Sequence, residues 1–586
     1  MKFAFKPIAI AAALAFIGTA AVASPMKPGT YTAKVNGHNA PLTVEVTVDA
    51  NKILSIKTPD DQESLGVGKV GLKKTADNIL RYQSIGVDAV TGATFSSNAL
   101  KEGVEKCLKQ AGADMKQFTR KAEKHPIHNR TYQADVVVIG GGGAGLASAI
   151  SSMQAGAKKV IVLEKLGYVG GSTNVSEGAL NAVDDQRQKA QGIKDSDETF
   201  YETTMHGGHD KGDPTLVRFL TSHSMDAVNW LESLGVKFND HIGAATGSLG
   251  QRSHYPATPY GNTYIRTFEK VIADSNGKIQ VLLDTPAVKL IQNKSGRVVG
   301  VVGNNFGSKV TVMAKDGVII ATGGFGANVA YRQKVNTGVW KNIKLDNSIG
   351  CTNIQKAAQG QGLFLAQKVG AKLIGLSDIQ IHPCGTPGTG LMENIRTSGR
   401  NRIFVNSDGN RFVNEGAARD VLANAIFQQK GRTYWIVVNK LRYPTPDFKD
   451  RMGASIRNME ALGAVVEAPT LDELAKKTGM NAENLKKAIA DYNAVVSGKA
   501  KDKLGFVANN KDDKQMTEGP WYACRKVPTV HHTMGGIKIN VKSQVINTKG
   551  KVIPGLYAVG EVTGGIHGSN RLGGNAIADI MTFGHA

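Results

Sequence analysis

The sequence predicts a multidomain α/β protein, and three observations carry that expectation. The chain has 586 residues, more than one hydrophobic core organises, so several domains are expected. Its first hundred or so residues alternate apolar and polar side chains between turn signals, then run into an amphipathic stretch, the pattern of a small α+β unit. From residue 134 the pattern changes to apolar strand, glycine turn, helix and second strand, the opening of a Rossmann-like nucleotide-binding domain.

The elements follow in order. Lys2 and Lys6 precede the apolar run Ile8 to Ile17, and Ala21-Val22-Ala23 is an A-x-A cleavage pattern. Residues 1–23 therefore read as a secretory signal peptide cleaved near Ala23-Ser24, which predicts a periplasmic location. No later stretch approaches 18 apolar residues, so no integral membrane segment is expected. Residues 24–118 form the front module: GTYTAKVNGHNAPLTVEVTVDANKILSIKTP reads as β-hairpins, and SNALKEGVEKCLKQAG as a helix ending at Gly112. Between them lies DAVTGATF, a small-residue turn. Residues 119–133 are polar, basic and aperiodic, a linker.

In ADVVVIGGGGAGLASAISSMQAGAKKVIVLEK, Gly140, Gly142 and Gly145 supply G-x-G-x-x-G, and Glu164 ends the second strand 24 residues after Gly140. Glycines there let backbone N–H groups approach a pyrophosphate at a helix N-terminus, and the carboxylate accepts from ribose hydroxyls. Further small-residue contacts follow at Gly171, Ser172 and Thr173, at Thr322, Gly323 and Gly324, and at Glu561, Asn575 and Ala576. Nucleotide-contacting pieces spread over more than 400 residues suit a resident, non-covalent FAD better than a transient NAD.

Composition narrows the rest. Lys plus Arg minus Asp plus Glu gives 71 − 49 = +22. No basic block is interleaved with aromatics, so nucleic acid is not expected as a partner. The excess suits a solvated basic surface, steering of an anionic substrate, or docking of an acidic redox partner. Cys107, Cys351, Cys384 and Cys524 form no C-x-x-C-H and no C-x-x-C pair, so neither c-type haem nor a metal cluster is predicted. One disulfide or four buried thiols both fit that count.

IQIHP (379–383), FVNEGAARD (412–420), HHTMGG (531–536) and HGSNRLGGNA (567–576) resemble the fumarate reductase/succinate dehydrogenase flavoprotein family. Within it, residues 134–586 look most like the soluble flavocytochrome c-type fumarate reductases and their haem-free urocanate, acrylate and cinnamate reductase relatives. The resemblance implies an FAD domain at 134–383 and 526–586, interrupted by an α+β capping domain at 384–525. The front module resembles the small FMN-binding domain, whose D-x-x-[ST]-G-A-[ST] pattern is matched by Asp88, Thr91, Gly92, Ala93 and Thr94. That resemblance implies a covalent FMN, phosphoester-linked to Thr94, as the inlet for electrons.

Reducing a C=C bond beside a carboxylate needs a hydride, a carboxylate clamp and a positioned acid. By family match Arg571 and His531 clamp the carboxylate and His382 touches the substrate from the other side. Arg419 matches the proton donor, with Glu393 and Arg396, spaced E-x-x-R, as its relay. On their own the two could instead be an i, i+3 contact on a helix, and Asp420 is expected to orient Arg419. Two positions depart from the fumarate pattern. Met392 stands where fumarate reductases carry Thr, and a thioether cannot donate a hydrogen bond. A second carboxylate left short of a partner costs about 1–3 kcal/mol, which favours a substrate with one carboxylate. Gln361 stands where the family has Asp.

The expectation is a periplasmic, monomeric flavin reductase of a small α,β-unsaturated carboxylate, fed by a protein donor such as a cytochrome c or a quinol-linked tetrahaem protein. Two alternatives are a flavin dehydrogenase or oxidase running in the oxidative direction, and a flavin-carrying electron-transfer protein.

Overall fold

The computed structural model describes residues 25–121, 125–258, 261–508 and 512–586; the expected leader lies outside them. At the front, β1 (Gly29–Asn36), β2 (Pro41–Val48) and β3 (Ile53–Lys57) form an antiparallel sheet in that order. Along β2 every second residue faces inward, so Leu42, Val44, Val46 and Val48 are buried. Helices α1 (Gly68–Tyr82) and α2 (Thr94–Gln110) cover that face. α2 buries Leu100, Val104 and Leu108 at its 3.6-residue period, and full burial of such a side chain stabilises by about 1.5–3 kcal/mol. A Cβ on Gly103 would run into Val44, so glycine lets the helix lie close to the sheet. The helix expected at 97–112 thus begins at Thr94, inside the small-residue turn.

The second unit is built on an eight-stranded sheet. β4 (Arg130–Ile139), β5 (Val160–Leu163), β6 (Ile279–Leu282), β7 (Ala287–Gln292), β8 (Val298–Asn305) and β9 (Ser308–Ile320) belong to it. β4 runs parallel to both β5 and β9, and β5 parallel to β6. All of Val160–Leu163 is buried, as a strand covered on both faces requires. α3 (Gly143–Gln154) follows the glycine turn. The expected linker ends earlier than 133: residues 130–133 already pair with 310–313 of β9. Their polarity hides them from an apolar-strand pattern because that end of β4 is exposed.

A five-stranded sheet builds the region between. β10 (Ile379–Gly385), β11 (Arg402–Val405), β12 (Tyr434–Asn439), β13 (Val465–Ala468) and β14 (Trp521–Thr533) pair as β10-β14-β12-β11, with β13 on β14. α4 (Arg419–Phe427) packs beside β10. β14 is continuous across position 525, so one strand ties this sheet to the nucleotide-binding unit. The chain returns to the large sheet with β15 (Gln544–Ile546) and β16 (Val552–Ala558), then ends in α5 (Asn575–His585).

The front module sits against the second unit. Val90 and Ala93 pack with Leu166 and Tyr168, and Tyr168 Oη donates to Gly92 O at 3.1 Å. Gly92 has φ +92°, and a Cβ there would meet Tyr168 Oη at 2.6 Å, so the turn needs glycine twice over. Lys74 Nζ donates to Gly167 O across the same seam. All four cysteines are free and buried, so the thiol alternative holds.

Candidate active site

The glycine turn after β4 opens a cleft lined by Gly140, Gly142, Glu164, Gly171, Ser172, Thr173, Thr322, Gly323, Gly324, Gln361 and Glu561. These residues fit FAD. A Cβ on Gly323 meets nothing within 4 Å, and one on Gly142 meets only Gly170 O at 4.0 Å, so these glycines clear space rather than relieve packing. Gly145 serves otherwise: a Cβ there would collide with Gly140 O, so it lets α3 close on the turn. Glu164 accepts from Gly141 N–H at 2.7 Å and Leu166 N–H at 2.7 Å. Burial raises its pKa, against those two donors. Gln361 Oε1 accepts from Lys165 Nζ at 2.8 Å. Asn575 turns its amide to Asn181 and Thr204 and so braces the start of α5, while Ala576 faces the neighbouring cavity.

That cavity, of about 770 Å³, adjoins the cleft through Ser172, Thr173 and Glu561. Its walls bring together Arg419, His382, His531, Arg571, Met392, Glu393 and Arg396, with Thr94 of the front module on the same cavity. Arg419 opens α4. Its Nε donates to Thr246 O at 2.9 Å and its Nη1 to Gln380 Oε1 at 3.0 Å. Gln380 Nε2 in turn donates to Arg571 O at 2.6 Å and Asn570 Oδ1 at 2.9 Å. One glutamine on β10 therefore fixes both arginines. Arg571 Nη1 donates to Leu572 O at 3.0 Å, and its buried Nε has no protein partner.

The register of β10 on β14 sets the two histidines side by side: Ile381 lies opposite Val530 and His382 opposite Thr529, with ring centroids of His382 and His531 4.7 Å apart. His382 Nδ1 accepts from Cys384 N–H at 3.1 Å, which leaves the proton of a neutral ring on Nε2. His531 Nδ1 lies 2.6 Å from Thr352 Oγ1. Burial drives both pKa values well below the usual 6.5. Arg419, Arg571 and Arg396 push the same way, and His382 adds to the effect on His531. Burial also lowers Arg419 to about 10, opposed first by Glu177. Glu561, beside this wall, is raised to about 7 by burial, against Thr533 N–H and Arg571. The result is a cationic wall with neutral imidazoles, suited to an anion.

The structure removes the helix-contact alternative for Glu393 and Arg396 and corrects one expectation, that Asp420 orients Arg419. Residues 391–400 form a loop, and no ion pair joins Glu393 to Arg396. Instead Arg396 Nη1 lies 3.6 Å from Glu177 Oε1, while Glu393 Oε1 lies 3.0 Å from His38 Nε2. Asp420 does not touch Arg419: helix direction turns it to His209 Nε2 at 3.1 Å and Asn570 Nδ2 at 3.1 Å. Orientation of Arg419 falls to Gln380 and Thr246.

Glu177 escaped the sequence reading because nothing local marks it. It accepts from Ser398 Oγ at 2.9 Å and lies 3.5 Å from Arg451 Nη2. Gln380 sits inside IQIHP and was visible as a motif residue. Thr246, acting through its carbonyl, carries no side-chain signal. Thr94 is exposed at the first turn of α2 and Thr91 is half-buried. Among the described residues no His, Cys, Asp and Glu cluster could hold a metal, and no helix is long and apolar enough to cross a membrane.

Comparison with known proteins places this geometry. An FAD-binding domain family matches residues 135–577, and an FMN-binding domain family matches 37–109. The chain is 34% identical to a urocanate reductase of Eggerthella lenta, over 94% of this chain and 90% of that protein. It is 38% identical to a fumarate reductase (cytochrome) of Shewanella frigidimarina, over 77% and 75%. An NADH:acrylate oxidoreductase of Vibrio harveyi is 34% identical over 95% of this chain, which spans 60% of that longer protein. The solved open conformation of a flavocytochrome c3 fumarate reductase superposes with a TM-score of 0.62 at 34% identity, over 78% of this chain and 77% of that one.

Proposed function

Because this chain belongs to the FAD-binding oxidoreductase family of the fumarate, urocanate and acrylate reductases, we propose that it reduces the C=C bond of a small α,β-unsaturated carboxylate. One observation supports this most: Arg419, Arg571, His382 and His531 meet in a cationic cavity adjoining the cleft that fits FAD. When bound, FAD supplies the hydride that reaches the β-carbon.

The chain's own residues do the rest. Arg571 and His531 hold the carboxylate, and the guanidinium stabilises charge that grows there as the double bond polarises. Neutral His382, side by side with His531 on the paired strand rather than across from it, adds an N–H from the same wall. Arg419 protonates the α-carbon. An arginine can act as the acid here because the acceptor is a carbanion-like enolate and burial has brought the guanidinium pKa down to about 10. Gln380 and Thr246 aim it. Arg396 and Glu393, on the same cavity, return the proton. Met392 presents an apolar surface where a second carboxylate would need a donor, so a monocarboxylate is favoured.

FMN, esterified to Thr94, is the proposed inlet for electrons from a periplasmic cytochrome or similar protein donor, and the enzyme works as a monomer in the periplasm. The test is anaerobic oxidation of reduced viologen by the flavin-loaded protein against fumarate, acrylate, methacrylate, cinnamates and urocanate. Reduction of at least one enoate is expected. Reduction of none, with oxygen consumed on a donor, would favour the oxidative alternative.

A further inference from the structure

The front module does more than carry Thr94 to the cavity. The turn between β1 and β2 brings His38 onto Glu393, Nε2 to Oε1 at 3.0 Å, with side chains 29% and 28% exposed. Glu393 Oε1 is buried and takes no other hydrogen bond, so His38 is its near neighbour on this side. The other ring nitrogen, Nδ1, lies 2.9 Å from Asn39 Oδ1. Asn39 Nδ2 donates to Gln62 O at 3.1 Å, which fixes the amide with its oxygen toward His38. Both ring nitrogens thus face acceptors, the surroundings of an imidazolium.

The turn is rigidly held. Buried Glu63 accepts from His38 N–H at 2.6 Å and Asn39 N–H at 3.2 Å, and its other oxygen accepts from Ser96 Oγ at 2.6 Å. Ser96 is two residues past Thr94 on α2. Phe95 stands edge-on to the His38 ring at 5.6 Å. One short network therefore joins the first turn of α2, the His38 turn and Glu393.

We propose that His38 is a proton-supplying positioning residue acting through Glu393, so that the module carrying the electron inlet also completes the path by which Arg419 regains its proton. This rests on the reading of Glu393, Arg396 and Arg419 as a relay. Once Arg396 has replaced the proton that Arg419 gave up, the Glu393 carboxylate takes a proton from His38 Nε2 and returns it to the neutral Arg396, so that one proton enters for each one delivered. The His38 side chain is 29% exposed, and its Nε2 regains a proton from solvent; no electrons move. Burial lowers the His38 pKa, but Glu393, Asn39 and Glu63 outweigh it and raise it to about 9. The group is charged at neutral pH and loses its proton as pH rises through that value.

The experiment uses the full, flavin-loaded chain with reduced viologen and the best enoate of the panel. His38→Gln keeps an N–H toward Glu393 but cannot titrate. It should lower kcat about ten-fold or more with KM little changed, a split expected of a lost proton-transfer step. The fall of kcat near pH 9 in the wild type should vanish. In His38→Ala, added imidazoles should restore turnover in the order of their pKa values, which a purely structural contact would not allow. Neither variant alters the backbone N–H bonds to Glu63. Wild-type kcat and pH profile in His38→Gln, a loss confined to KM, or no imidazole rescue would each overturn the proposal. If the wild type reduces no enoate, the functional reading itself has failed. If it does, and Arg419→Ala abolishes turnover while the His38 variants match wild type, only this inference fails.

Discussion

Glu177 should be costly to remove. Its carboxylate lies 3.6 Å from Arg396 Nη1 and 3.5 Å from Arg451 Nη2. At an effective dielectric constant of about 20, attraction at that distance is roughly 4–5 kcal/mol per pair, part of which desolvation offsets. Arg451 is 40% exposed, so its share is screened, whereas Arg396 at 12% is not. Deleting the carboxylate takes from Arg396 the ion-pair partner it has on a cavity wall shared with Arg419 and Arg571. Glu177→Ala should therefore lower unfolding free energy by about 3 kcal/mol, roughly 3 °C in Tm for a unit this large. Calorimetry of the flavin-loaded protein at pH 7 measures it, with Arg396→Ala and the double variant completing a cycle. A coupling of about 1.5 kcal/mol or more is expected. Glu177→Gln keeps shape and should still lose most of the coupling. For Glu177, burial raises the pKa, but Arg396, Arg451 and Ser398 outweigh it and hold it below 4.5. The contribution is thus present above about pH 4.5 and fades as pH falls through the lowered value. A loss under about 0.5 kcal/mol, or an additive cycle, would refute the reasoning.

Mass spectrometry of the mature protein should show one FMN-phosphoryl adduct, absent in Thr94→Ala and retained in Thr91→Ala, when the host supplies the flavin-transfer machinery. Arg419→Ala should fold with its flavins and lose about 10²–10⁴ in kcat, read by the viologen assay. Met392→Thr should raise kcat/KM for fumarate relative to a monocarboxylate about ten-fold, the size of one regained hydrogen bond to a charged group. A wild type that already prefers fumarate would show that Met392 does not set specificity.

Much of this protein was legible in its sequence because its chemistry sits in local patterns. The G-x-G-x-x-G turn between two apolar strands is determined by spacing alone, and so is the alternation that gives β1 to β3. Arg419, His382, His531 and Arg571 were found through motifs, since each lies in a short run whose neighbours are also constrained. The structure then decided pairings that no spacing encodes. Glu393 and Arg396 are three residues apart, yet each has its ion-pair partner elsewhere because the chain there is loop, not helix. Their partners, His38 and Glu177, come from 355 and 219 residues upstream (393 − 38 and 396 − 177). Asp420 adjoins Arg419 in sequence, but successive residues on a helix point about 100° apart, so it serves His209 and Asn570 instead. Sequence determined which groups are present and the local backbone that carries them. Only the tertiary fold, by docking the front module and registering β10 on β14, decided which charges neutralise one another and where an anion can bind.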